Sequence, residues 1–179
     1  MQPVIKIGWK QHRTLVEGLA YLIAQEGYVP DMIVAVATGG LIPGLILAKL
    51  FKIPFSSVAA ESYRARRTSG RKNKKGHMQF TRALSKTVPG IGDRLLVVDD
   101  LTDSGDTLAV TIAWLRAAFP TVKEVRTAVL WHKTCSRFLP DYYVKRVGPR
   151  HGKWPHGSFN RSKSTKPCRS PRLNLPREV

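Results

Sequence analysis

Two adjacent carboxylates, Asp99 and Asp100, are followed by Leu101, Thr102, Asp103, Ser104, Gly105, Asp106 and Thr107, and this run is the best equipped for chemistry in the chain. Its two halves suit different groups. Carboxylates side by side accept hydrogen bonds from a vicinal diol, or hold a hard cation such as Mg²⁺ through oxygen ligands and waters. The hydroxyl- and glycine-rich half leads into a helix, whose first amides and positive dipole end favour phosphate, while Gly105 lets backbone come close. A ribose phosphate satisfies both halves at once. A second glycine-bearing break, Thr38-Gly39-Gly40, offers further amides to phosphate oxygens.

These groups need a scaffold that brings them to one place, and the apolar pattern supplies it. Leu15, Leu19, Leu22 and Ile23 recur at helical spacing, with Thr14 and Glu17 forming a capping box, so a helix is expected from there to about Gly27. Met32 to Ala37 is a continuous apolar run typical of a strand buried on both faces. Thr38-Gly39-Gly40 ends it, and Pro43 fits the first turn of a helix running through Leu50. Further strands are expected at Phe55 to Ala60, Arg94 to Asp99, Val125 to Trp131 and Tyr142 to Val144, with a helix carrying Leu108, Ile112 and Leu115 after the acidic run. Strands alternating with helices predict an α/β fold with a mostly parallel central sheet flanked by helices. Ligands then bind beyond the carboxyl ends of the strands.

The 179 residues suffice for one domain with a core, and their formal net charge is +18. That charge is uneven. Residues 64 to 76 hold seven Lys or Arg and no acid, residues 145 to 179 hold ten against Glu178 alone, and the remainder carries 13 basic against 11 acidic residues. Basicity therefore belongs to two segments: a mobile loop expected at about 62–80, and a Pro- and Ser-rich tail, 148–179, read as disordered beside a domain spanning 1–147. Nucleic acid is a possible partner of such segments but not the favoured one. No apolar run is long enough to span a membrane and no leader pattern is present, so the protein is expected in the cytoplasm. Cys135 and Cys168 are too few for a disulfide framework and read as free thiols.

The run Val97 to Thr107 resembles the phosphoribosyl-pyrophosphate motif of type I phosphoribosyltransferases. Ala37 to Pro43 is similar to that family's pyrophosphate loop, with Thr38 where the resembled branch commonly has arginine, and Leu130 to Val144 resembles the base-binding region of its xanthine-guanine and hypoxanthine branch. The resemblance implies the type I phosphoribosyltransferase fold and transfer of a 5-phosphoribosyl group from phosphoribosyl pyrophosphate to a nucleobase, a 6-oxopurine, with Mg²⁺ as cofactor. It implies donor contacts from Thr38, Gly39, Gly40, Asp99, Asp100, Thr102, Asp103, Ser104, Gly105, Asp106 and Thr107, and metal binding by Asp99 and Asp100. Asp103 becomes the catalytic acid–base group, Lys133 the nucleobase contact, and a homodimer the expected assembly. After Val144 the sequence departs from the branch, with Trp154 followed by Pro155. The competing expectation is a regulatory protein of the same fold that binds nucleotide and touches nucleic acid through its basic segments.

Overall fold

A computed structural model describes residues 7–62, 78–80, 84–86 and 89–148, with backbone alone at 60–62, 78–80 and 86. Most of the expected basic loop and all of the tail after Gly148 lie outside the described residues. Helix α1 is Trp9–Gln25, strand β1 Met32–Ala37, helix α2 Leu41–Phe51 and strand β2 Phe55–Ser62. The short strands β3 (Met78–Phe80) and β4 (Ser85–Lys86) precede β5 (Arg94–Thr102), α3 (Asp106–Ala118), β6 (Glu124–Lys133) and β7 (Tyr142–Val147).

Five strands form a parallel sheet in the order β2-β1-β5-β6-β7, and β3 and β4 pair antiparallel with β2. The strands alternate their side chains between two apolar layers. Leu96, Val98, Ala128 and Leu130 pack with Val16, Leu19 and Ile23 of α1 and Leu47 of α2. Leu95, Val97 and Val129 pack on the other face with Leu108 and Leu115 of α3. Burying each of these large side chains contributes about 1.5–3 kcal/mol, so both layers fix the sheet on which the strand ends stand. Among the described residues no helix is long and apolar enough to cross a membrane.

Several expectations need correcting. Helix α1 starts at Trp9, five residues before the expected cap: Gly8 is the N-cap and its amide donates to the Gln11 side chain at 3.3 Å. Thr14 lies inside the helix, its hydroxyl donating to the Lys10 carbonyl, and Glu17 pairs with Arg13. A glycine cap has no side chain to announce it. Strand β5 runs on to Thr102 because its ladder with β6 continues through Leu101–Trp131 and Thr102–His132, so the acidic pair sits within the strand and not after it. The ends of the expected loop are also strand, since Ala60–Ser62 pairs with Met78–Phe80. Cys135 is disulfide-bonded, which overturns the free-thiol reading; a cysteine count does not determine whether one of them meets a partner.

Candidate active site

The carboxyl ends of β1, β5 and β6 bring the expected groups to one edge of the sheet. At the end of β1 the Ala37–Thr38 peptide is cis, and the turn 38–40 feeds α2, with Thr38 exposed. Gly40 is the N-cap of α2, and its amide donates back to the Val36 carbonyl at 2.8 Å. Both glycines are required by space. A Cβ on Gly40 would stand 2.1 Å from the Val98 carbonyl oxygen and 2.8 Å from that of Val36, and one on Gly39 would stand 2.5 Å from the Asp100 carboxylate. The turn therefore presses directly on the acidic pair of β5. No side chain stands between the two.

Within that pair Asp99 is 9% exposed and its Oδ1 accepts the Asp100 amide at 2.8 Å. Burial, and after it the neighbouring Asp100 charge, push the Asp99 carboxyl up to about 7. Such a group lacks a compensating cation among the described protein atoms. Thr102 is 1% exposed, so its side chain faces the interior, and its Oγ1 has no hydrogen-bond partner among the described residues.

Beyond Thr102 the chain leaves the sheet through Asp103 and Ser104 to Gly105, the N-cap of α3. Gly105 has φ 89°, a left-handed conformation that a side chain disfavours, and a Cβ there would meet Phe138 Cβ at 2.2 Å. Ser104 Oγ accepts the Asp106 amide at 3.3 Å, and the Ser104 carbonyl accepts the Arg137 amide at 3.1 Å. Asp106 and Thr107 are half-buried in the first turn of α3. Asp103 stays 64% exposed at the mouth, and Lys133, at the end of β6, reaches it: Nζ stands 2.8 Å from Asp103 Oδ1. Two residues named separately from sequence thus form one ion pair.

The turn 134–138 is a part that residue-type reasoning missed. Ser136 donates its amide to the Lys133 carbonyl and Arg137 donates to Ser104, so the turn ties the lysine strand to the glycine cradle. The resemblance covered these residues but gave them no role, and backbone contacts leave no signature in side-chain types. His132, 3% exposed and 5.1 Å ring to ring from Tyr143, is buried behind Lys133. Burial and the Arg146 charge lower its pKa, so it is a neutral imidazole. Two surface hollows, one bordered by Leu45, Lys52 and Phe55 and one by Leu22, Glu26 and Tyr142, lie at the amino ends of the strands and touch none of these groups. Chemistry, not concavity, marks the site.

The phosphoribosyl transferase domain family matches residues 8–160. The chain belongs to that family. Its relatives include the xanthine-guanine phosphoribosyltransferase of Nitratidesulfovibrio vulgaris (strain DP4), 27% identical over 146 residues that span 80% of this chain and 78% of the relative. That of Ruegeria sp. (strain TM1040) is 29% identical, across 65% of this chain and 68% of its own. Among solved structures, a purine phosphoribosyltransferase from Pyrococcus horikoshii Ot3 superposes with a TM-score of 0.59 at 28% identity, covering 87% of this chain and 98% of that one. The Helicobacter pylori xanthine-guanine-hypoxanthine phosphoribosyltransferase, at 23% identity, 78% and 85% coverage and a TM-score of 0.63, shares the fold. The type I phosphoribosyltransferase fold expected from the motifs is that of this chain, and the relatives it resembles include members of the xanthine-guanine and hypoxanthine branch.

Proposed function

We propose that this phosphoribosyltransferase moves the 5-phosphoribosyl group from phosphoribosyl pyrophosphate to a 6-oxopurine in the cytoplasm, releasing pyrophosphate. The observation that carries the reading is the Asp103–Lys133 ion pair, 2.8 Å long, standing between the acidic strand end and the glycine-bearing start of α3. A carboxylate and an ammonium side by side match the ring N–H and the exocyclic oxygen of such a base. Few other ligands offer that combination next to a phosphate.

In this reading the amides of Ser104, Gly105, Asp106 and Thr107, with the hydroxyls of Ser104 and Thr107, hold the 5-phosphate at the amino end of α3. Thr102, whose side chain is buried, contributes through its backbone. Asp99 and Asp100 orient the ribose hydroxyls. Thr38 and Gly39 offer their amides to the pyrophosphate, while Gly40, whose amide is held by the Val36 carbonyl, lets the turn pack close against β5. Asp103 takes the proton from the attacking base nitrogen, a role worth about 10²- to 10⁴-fold, while Lys133 turns from Asp103 to the exocyclic oxygen. The sugar carries cationic character as pyrophosphate leaves, and Asp99 and Asp100 lie where that charge develops.

Mg²⁺ is the proposed cofactor, and the residues fit it. Asp99, buried against a second carboxylate and pushed up to about 7, is the type of group that a hard dication stabilises, and two carboxylates plus substrate oxygens are its usual protein share. Asp99 and Asp100 would hold it, and the positive charge it would supply there is the kind that offsets charge developing on a pyrophosphate leaving group. A homodimer belongs to the same proposal, supported by the exposed Ile42, Leu45 and Leu50 on α2.

The test is a panel of nucleobases with phosphoribosyl pyrophosphate and Mg²⁺, read as pyrophosphate release. One 6-oxopurine should turn over, and Asp103→Asn should slow it. Silence with every base, together with RNA binding that weakens steeply with salt, would replace this reading by the binding protein that the clustered charge favours.

A further inference from the structure

Thr102 and His132 stand opposite one another in the β5–β6 ladder, and each carries a buried polar atom with no hydrogen-bond partner among the described residues: the Thr102 hydroxyl and His132 Nδ1. Thr102 is 1% exposed and His132 3%. A polar atom shut away from water is destabilising unless it is bonded, so two of them facing each other across one ladder belong to a single feature. We propose that Thr102 and His132 are positioning residues, joined through one buried water, that hold the ends of β5 and β6 at the spacing on which the Asp103–Lys133 pair depends.

The geometry fits one water. Ladder partners on parallel strands send their side chains to the same face about 4.8 Å apart, beyond the reach of a direct hydrogen bond of about 3 Å. A water making two bonds of about 2.8 Å at a tetrahedral angle spans about 4.6 Å. It accepts from the Thr102 hydroxyl and donates to Nδ1. The imidazole is fixed from its other side, since the Tyr143 ring lies 5.1 Å away and Arg146 of β7 stands opposite His132 in the β6–β7 ladder. Burial, and after it the Arg146 charge, keep the ring neutral, which leaves a ring nitrogen able to accept.

The bridge lies one residue behind both members of the ion pair. Thr102 precedes Asp103, and His132 precedes Lys133, whose Nζ stands 2.8 Å from Asp103 Oδ1. Strand β5 ends at Thr102, while Lys133 is still paired with Val147 of β7. Asp103 is therefore held against β6 through Thr102, and any fraying of the Thr102–His132 pairing passes directly into the distance between carboxylate and ammonium. Apolar side chains at both positions would fill the same space without resisting that fraying.

Urea unfolding decides the bridge without reference to activity. Valine is close to threonine in shape, so removing a hydroxyl that had no partner should leave stability level or raise it. With the bridge, Thr102→Val should lower the folding equilibrium constant about tenfold in the wild-type chain and less than about twofold in His132→Phe. An unchanged or raised constant, or equal losses in the two backgrounds, would overturn the bridge. The positioning role rests on the proposed function and is read from steady-state kinetics. Asparagine places its amide where Nδ1 lies, whereas glutamine reaches the Nε2 position. His132→Gln should raise KM for the base about tenfold with the affinity for phosphoribosyl pyrophosphate by calorimetry unchanged, and His132→Asn should stay within about twofold of the wild type. Equal KM values for the two variants, or a matching loss of donor affinity in His132→Gln, would overturn the positioning role. A wild type silent with every base would overturn the functional reading and that role with it, while the bridge would still stand or fall by the unfolding cycle.

Discussion

Replacing Asp99 by Asn should make the metal-free protein more stable at neutral and alkaline pH while disabling its site. Asp99 is 9% exposed, and burial beside Asp100 raises its carboxyl from 3.8 to about 7. A carboxyl whose pKa is raised on folding binds its proton more tightly in the native state. Its favourable contribution is thus complete below about pH 4 and is lost as pH climbs through about 7. Three pKa units at about 1.4 kcal/mol each set a ceiling of about 4 kcal/mol for the cost of ionised Asp99 at pH 8. Asn keeps an oxygen to accept the Asp100 amide, now 2.8 Å from Asp99 Oδ1, but that bond is no longer charge-assisted and its own NH₂ must find a partner. The net gain expected is about 2 kcal/mol at pH 8, falling through zero between about pH 5 and 6 and reversing sign by pH 4.5, where the neutral wild-type carboxyl leaves only the cost of the amide.

Urea unfolding of both proteins in a chelator at pH 4.5, 6 and 8 measures it. The midpoint of Asp99→Asn should exceed that of the wild type at pH 8 and fall below it at pH 4.5, the difference rising between pH 4.5 and 7 and then staying level. Added Mg²⁺ should raise the wild-type midpoint at pH 8 and leave the variant nearly unmoved. A variant less stable than wild type at pH 8, or a gap that ignores pH, would refute the argument that ionised Asp99 is an uncompensated buried charge.

Other expectations follow from the same geometry. Gly40→Ala places a methyl against two strand carbonyls that cannot yield, so it should cost about 3 kcal/mol in chemical unfolding and remove donor binding. Gly39→Ala meets only the Asp100 carboxylate, which can turn aside; it should cost under about 1.5 kcal/mol in the same unfolding assay, yet lower turnover about tenfold or more because the displaced carboxylate belongs to the site. Lys133→Met leaves Asp103 unpaired at the mouth and should raise KM for the base about tenfold with KM for phosphoribosyl pyrophosphate unchanged, whereas Asp103→Asn should lower kcat about 10²- to 10⁴-fold in steady-state assays. Arg126 bonds Glu124, Glu26 and the Tyr142 hydroxyl and lies 4.4 Å over the Tyr28 ring, far from the site. Arg126→Met should therefore lower stability by about 1 kcal/mol, being partly exposed, and leave both KM values alone.

The parts of this protein that are legible in its sequence share one property: their signal is local. An uninterrupted apolar run announces β1, and the acid-then-hydroxyl run announces the end of β5, because each is written in consecutive residues. What local pattern misjudged depends on partners elsewhere in the chain. Strand β5 outlasts its apolar run because β6 continues to pair with it, β2 extends to Ser62 because Met78–Phe80 lies alongside, and α1 begins at a glycine whose cap comes from Gln11.

The same distinction explains the site. Asp103 and Lys133 are each conspicuous in sequence, but 30 residues separate them and neither names the other. Their ion pair follows from register: Thr102 stands opposite His132 in the β5–β6 ladder, so Asp103, the first residue past β5, and Lys133, the last of β6, stand at the same height. Had β6 slipped by one residue against β5, every apolar side chain of Ala128 to Leu130 would have exchanged faces, so the register is held by the core and not by the pair itself. The two buried layers that give the fold its stability thus also set the distance between the residue proposed to accept a proton and the one proposed to hold the base. A core substitution that loosens the β5–β6 ladder should reach the chemistry through that distance.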